Sequence, residues 1–249
     1  MMETLIEITE TEKIKFDKPV FIMGFPDVGL VGTIAVYHLI DKLKLKEIAH
    51  IDSRKFPPVV VVHDSKPSSP IRVYGDGKIF AVISEIPIKP DVIPHLAEEL
   101  AEWFMEKKAS MVISLGGIPH PKRLEIIKPN VYGIGSPGME KKLKDSGAKI
   151  FEEGIIVGIH GVILRKCIYH KVPSMYLMAE SHYKYPDPEA AASALEVVNK
   201  LLDIDVDIKQ LLAKGAEIKI KARDLMRNTE VEMRDMDKGK EHEIPMMYR

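Results

Sequence analysis

A chain of 249 residues accommodates one large domain with a core of its own, or one domain plus an appendage. Its 36 Lys+Arg against 37 Asp+Glu leave a net charge of -1, so no general positive field exists to drive binding to nucleic acid or an anionic membrane. A single cysteine, Cys167, excludes an internal disulfide and any site built from several thiolates. The first residues lack a basic stretch followed by an apolar one, and no apolar run approaches the roughly 18 residues of a membrane span; a cytoplasmic protein is expected. Charged residues make up 29% of the chain, against one Gln (Gln210) and three Asn (Asn130, Asn199, Asn228). That bias toward ion pairs and away from labile amides is the one seen in hyperthermophiles.

The first element predicted is a strand over 20–23, ending in Gly24-Phe25-Pro26-Asp27 and passing into a helix over 28–43. Strands follow at 48–52, 59–63, 71–74 and 79–83, the last two joined through Gly75-Asp76-Gly77, a strong hairpin signal. Leu96, Leu100, Trp103 and Phe104 form one apolar stripe on a helix over 91–108. A buried strand is expected at 111–115, and Gly135-Ser136-Pro137-Gly138 should cap a short helix ending before Gly147. A strand at 155–157, a helix over 158–170 and a strand at 174–178 complete an alternation of strands and helices, which implies parallel pairing with helices on both faces. The fold class is α/β, a three-layer α/β/α domain over residues 1–202, with the 71–83 hairpin as its antiparallel element.

From Asp187 the composition shifts to helix formers, with Leu195, Val198, Leu201 and Leu202 on one face. Ile204, Ile208, Leu211, Gly215, Ile218, Ala222 and Leu225 then recur at heptad-like spacing, a C-terminal helix over 203–228 weakened by Gly215. A lone exposed helix should not carry so much apolar surface, so the seam must pack on the domain or on a neighbouring copy. A charged linker and tail, 229–249, ends in apolar Ile244-Pro245-Met246-Met247 before Tyr248-Arg249.

Two glycine-rich turns are candidate pocket loops. Gly24, Asp27, Gly29 and Gly32 sit after the first strand, where a phosphate cradle would lie, but no Gly-Lys-Ser/Thr follows and Asp27 is acidic; Asp27 reads instead as the helix N-cap. Gly116 and Gly117 follow the strand at 111–115, and Gly135 lies in a third glycine-rich stretch, Gly133-Ile134-Gly135-Ser136. Together they could line a small-molecule pocket, yet neither brings a nucleophile with its base and there is no Gly-x-Ser-x-Gly elbow. His160, Cys167 and His170 share a helix without the spacing of a metal site, and Glu85 with Glu180 would form an acid–base pair only if their strands were neighbours. No catalytic group, metal or cofactor is expected. Met247, Tyr248 and Arg249 are suited to insertion in a pocket: the ring fills it, the hydroxyl makes one directed bond and the free carboxylate can pair with a lysine.

Gly24-Phe25-Pro26-Asp27-Val28-Gly29-Leu30-Val31-Gly32, Ser114-Leu115-Gly116-Gly117-Ile118, Tyr132-Gly133-Ile134-Gly135-Ser136 and Gly158-Ile159-His160-Gly161, in that order over roughly residues 15–200, resemble archaeal members of the proteasome assembly chaperone family, the group related to the second subunit of the eukaryotic chaperone pair. The resemblance implies a phosphorylase-like α/β/α sandwich and a chaperone-like, non-enzymatic role. It further implies that Met247-Tyr248-Arg249 is a hydrophobic-Tyr-any tail of the kind that docks between 20S proteasome α subunits without ATP. The expected partners are those α subunits and further copies of the chain in a ring of four or five. A scaffold for another small archaeal protein with its tail masked, and an enzyme acting on a nucleoside or phosphate ester, are the alternative readings.

Overall fold

In the computed structural model the described residues are 5–63 and 65–236. Strand β1 (Glu7–Glu10) pairs along β3 (Lys46–Asp52), and between them β2 (Val20–Gly24) feeds α1 (Val31–Leu43). A small ribbon of β4 (Val61–His63) and β5 (Lys66–Ser68) precedes the hairpin of β6 (Ile71–Gly75) and β7 (Ile79–Ser84). The hairpin turn is built as its sequence demands: Gly77 takes φ +102°, and the Asp76 carboxylate accepts from the backbone N–H groups of Lys78 and Ile79 at 2.9 and 2.8 Å. Then come α2 (Ile93–Glu106), β8 (Met111–Pro119), β9 (Val131–Gly135), α3 (Glu140–Asp145), β10 (Lys149–Ile150), α4 (Ile159–Tyr169), β11 (Ser174–Ser181) and α5 (Pro188–Leu202). Short helices α6 (Lys209–Ala213) and α7 (Gly215–Lys221) lead into α8 (Arg223–Asp235).

Nine strands form one mixed sheet in the order β1-β3-β6-β7-β2-β8-β11-β9-β10. Its centre, β7-β2-β8-β11, is parallel, as βαβ alternation requires. Side chains alternate between faces, so Ile22 joins the core under α1 and α5 while Phe21 and Met23 join the core under α2 and α4. The stripe read from α2 is fully inside: Leu96, Leu100, Trp103 and Phe104 are buried, with Trp103 meeting Phe21 edge-on and Phe104 packing against it at a tilt. The three-layer α/β/α expectation is met. Among the described residues no helix is long and apolar enough to cross a membrane.

Several local readings are corrected. The antiparallel component is larger than the 71–83 hairpin, since β9 runs antiparallel to β11 and β1 and β3 add two more antiparallel pairings. Residues 155–157 form no strand; the edge strand is β10 just before them, and Ile155 is exposed. The heptad seam is not one continuous helix. It breaks at Lys214 before Gly215 into α6 and α7, and its residues Ile204, Ile208, Leu211, Ile218, Ala222 and Leu225 pack on the core beside α5. The seam is therefore satisfied within its own chain and gives no reason to associate. Helix continues through 229–235, where Thr229 and Met233 are buried, rather than giving way to linker at 229.

One close contact fixes how α1 lies on the sheet. A Cβ on Gly32 would stand 2.0 Å from the Leu115 carbonyl oxygen, and one on Gly24 would stand 2.3 Å from the Gly32 carbonyl oxygen. Alanine is ordinarily the better helix residue by up to about 1 kcal/mol, but here the new methyl meets backbone that cannot rotate away. Gly32→Ala should destabilise by about 3 kcal/mol, lowering the melting temperature by roughly 6–12 °C at this chain length. An unchanged or raised melting temperature would contradict the contact.

Candidate functional site

Of the predicted pocket residues, Gly24, Asp27, Gly29, Gly116 and Gly117 lie toward the carboxyl ends of the parallel strands, where open α/β sheets place their ligands, whereas Gly135 pairs with Met175 at the start of β11 and lies at the opposite edge. After β2 the chain turns sharply: Gly29 takes φ +62°, and Leu30, the residue before α1, also takes a left-handed conformation at φ 51°. That conformation is costly for leucine, and it is held by tight packing. Leu30 is fully buried, and a Cβ on Gly29 would overlap the Ser181 Oγ at 1.9 Å. Gly116 and Gly117 are not in a loop. They lie within β8, paired with Met178 and Ala179 of β11, and their missing side chains admit the Tyr176 hydroxyl and the Val28 carbonyl respectively. Gly135 likewise closes β9, where a Cβ would meet Met139 at 2.6 Å, so it admits the turn into α3 rather than a ligand.

Asp27 holds the N-cap position of the short 3-10 turn Val28–Leu30 with an extended backbone, but its carboxylate makes no capping bond. Instead the buried carboxylate accepts from the Tyr176 hydroxyl at 3.2 Å and lies 3.7 Å from Nε2 of His160, whose ring stacks on Tyr176 at 4.8 Å between centroids. A second cluster lies on the other side of the turn and was not foreseen from the sequence. Asp187 is fully buried; it accepts from Nε and Nη2 of Arg123 at 2.7 and 2.8 Å, from the Ser181 hydroxyl at 3.1 Å and from the Ala190 N–H at 3.1 Å. Arg123 also donates to the Ile126 carbonyl at 2.8 Å, so one guanidinium ties the loop between β8 and β9 to the start of α5. The available signal was Asp187-Pro188, an N-cap followed by proline at the first helical position. The bidentate partner 64 residues earlier left no local trace.

Helix α8 crosses this edge. Met226 and Met233 join the core beneath α1 and α5, while Met236 packs with the core beneath α2 and α4. Between α8 and the sheet, a crevice lined by Pro26, Asp27, Ile88, Gly158, Thr229 and Met233 leaves about 10 Å³, the room one water molecule requires. Elsewhere, Glu85 just after β7 and Glu180 on β11 have two strands between them. Glu85 pairs with Arg72 and His63, and Glu180 accepts from the Asn130 side chain and backbone, so the proposed acid–base pair is not formed. Burial pushes the Cys167 thiol up to about 12, which leaves it protonated. His170 turns away from it to pair with Glu98 at 2.8 Å, beside Glu102; Lys166 already neutralises Glu98. Met247, Tyr248 and Arg249 lie outside the described residues.

The Arg123–Asp187 pair makes a pH-dependent prediction. Burial drives the Asp187 carboxyl upward, but the Arg123 guanidinium and the Ala190 N–H outweigh it and hold the group below its ordinary 3.8. A depressed carboxyl contributes stability in full above the unfolded value and loses it as pH falls through the folded one. In Arg123→Leu the guanidinium is lost while the Ala190 N–H remains, so burial is less opposed and the carboxyl rises from its wild-type value. The variant should lose about 3–5 kcal/mol at pH 7, because a buried charge is left unpaired. The gap in melting temperature should narrow steadily from pH 7 to pH 3. A gap independent of pH would show that the pair is not ionic.

Comparison with known proteins agrees with this architecture. Residues 21–226 match the model of the PAC2 family. An uncharacterized protein of Methanocaldococcus jannaschii, MJ0106, is 31% identical over 243 residues, covering 97% of this chain and 98% of its own. The crystal structure of Pyrococcus furiosus PbaA, an archaeal homolog of proteasome-assembly chaperone, is 31% identical and superposes with a TM-score of 0.85 over 91% of this chain and 98% of that one. P. furiosus PbaB, an archaeal proteasome activator, shares the fold at 23% identity and a TM-score of 0.75, over 89% of this chain and 99% of its own. The expected resemblance is thus met, and the chain belongs to the PAC2 family.

Proposed function

We propose that this protein is an ATP-independent factor of the 20S proteasome, an assembly-chaperone homologue or activator that docks on the α ring through Met247-Tyr248-Arg249. The observation that carries the reading is membership of the PAC2 family over 21–226, together with 31% identity to PbaA across 91% of the chain. The carboxyl-edge geometry supports a binding body over the enzyme alternative. Where a nucleoside or phosphate ester would sit, the chain's own α8 fills the crevice, and the two buried aspartates there are engaged by Tyr176 and Arg123.

Within this reading Tyr248 is the anchor and Arg249 acts through its terminal carboxylate. Tyr248→Ala should cost about 2 kcal/mol, near a 30-fold rise in the concentration needed for half-maximal stimulation of peptide hydrolysis by archaeal 20S particles. Arg249→Ala retains a carboxylate and should change little, whereas residues appended after Arg249 displace it and should abolish stimulation. Equal stimulation by wild type, Tyr248→Ala and the extended form would exclude the tail as the docking element. Stimulation that appears only after polar replacement of Ile244 and Met246 would support the masked-tail scaffold instead.

A further inference from the structure

The end of the sheet opposite the carboxyl edge carries a row of lysines. Each of the four central parallel strands, β7, β2, β8 and β11, is entered one to three residues after a lysine: Lys78, Lys18, Lys108 and Lys171. Backbone hydrogen bonds hold the four entries side by side. The Val20 N–H donates to the Lys78 carbonyl, the Ser110 N–H to the Pro19 carbonyl and the Val112 N–H to the Pro173 carbonyl, each at 2.8 Å. The Ser110 hydroxyl also donates to the Lys18 carbonyl at 2.8 Å. All four lysines are exposed. Among the described residues none of the four forms an ion pair, whereas the nearby Lys107 and Lys166 are taken by Glu10 and Glu98. Three of the four stand in the left-handed conformation, Lys18 at φ 45°, Lys108 at 55° and Lys171 at 58°. Glycine takes that conformation freely, and a residue with a side chain loses on the order of 1 kcal/mol there. Lys108 and Lys171 follow the last turns of α2 and α4, where a cation at the negative end of a helix recovers a similar amount. Lys18 follows no helix and precedes Pro19, which restricts it further, and Lys78 stands in a hairpin turn. Helix dipoles therefore do not account for the row.

We propose that this row is a docking strip for a short acidic run in an extended segment of a partner protein. The four entries span three strand spacings in the sheet, about 14 Å, which an extended run of about four or five Asp or Glu residues matches. Its carboxylates would meet cations that have no partner to give up, so association replaces no existing ion pair. A nucleic acid is the poorer match. The row is bounded by acidic groups: Asp17 and Asp76 lie beside Lys18 and Lys78, and Glu99, Glu102 and Glu106 repel one another along α2. A phosphate backbone continues past the row in both directions and would run into them, on a chain whose net charge is -1. A run of four or five carboxylates stops short of both flanks. The strip is also remote from the proposed tail. The described residues end at Met236, which lines the crevice at the carboxyl edge, the other end of the sheet. The strip therefore stands or falls independently of proteasome docking.

The test is fluorescence anisotropy of a labelled hexaglutamate peptide titrated with the full chain at low salt. Wild type should bind it, and binding should weaken as salt is added, because exposed charges are screened. The variant Lys18→Gly/Lys108→Gly/Lys171→Gly removes three charges at positions where glycine is the less strained residue. Its melting should stay close to that of wild type, while its affinity for the peptide falls about 10-fold or more. Arginine at the same three positions keeps the charges and should bind as wild type does. If the triple glycine variant fails to fold, the three single glycine variants serve, each weakening binding about 2- to 3-fold. No binding by wild type, or equal binding by the glycine variants, would overturn the proposal. So would tighter binding of a single-stranded oligouridylate of the same charge, which would assign the strip to nucleic acid instead.

Discussion

The structure depends on how closely α1 and its leading turn approach the sheet. Gly24 and Gly32 let helix backbone touch the Leu115 carbonyl, Gly117 admits the Val28 carbonyl, and Gly29 leaves room for Ser181. None of these contacts tolerates a side chain. With the turn pressed down in this way, Leu30 is forced into a left-handed conformation, and Asp27 is directed inward at Tyr176 and His160 instead of along the helix axis. The remaining polar groups of the edge follow. Ser181, next to the turn, donates to Asp187, and Asp187 is the point at which Arg123 anchors the β8–β9 loop and the start of α5.

This arrangement stiffens the edge and leaves little free volume. Ser181 is bonded to an aspartate already engaged by a guanidinium, and His160 belongs to the other cluster. Breaking the Arg123–Asp187 pair would strand a buried charge, a cost of several kcal/mol, and that cost helps keep the β8–β9 loop in place. The polar groups at this edge thus position the outer surface of the molecule.

The sequence was most legible where one local rule governs. Asp76-Gly77 marked the hairpin, the 96-100-103-104 stripe marked α2, and Gly147 marked the end of α3 with φ +87°. It was least legible where distant backbone decides. Gly116, Gly117, Gly133 and Gly135 look like loop glycines, yet all four lie in strands, and they are glycines because Tyr176, Val28, Leu143 and Met139 fill the space their side chains would need. Asp27 holds the N-cap position expected of it, but its carboxylate turns inward instead of capping the turn. The heptad spacing of 204–225 described a real apolar face, but spacing alone does not say whether a face is covered by its own domain or by a neighbour. The Arg123–Asp187 pair was invisible because nothing local links residues so far apart in the chain.

The central claim, a rigid PAC2 body that reaches the proteasome α ring by its C-terminus, is tested most directly by imaging. Electron cryomicroscopy of archaeal 20S particles mixed with the full chain, without nucleotide, should show density for Tyr248 and the terminal carboxylate between adjacent α subunits, with the body standing above the ring. Particles decorated only through the folded body, or bare at saturating concentrations of the protein, would contradict it.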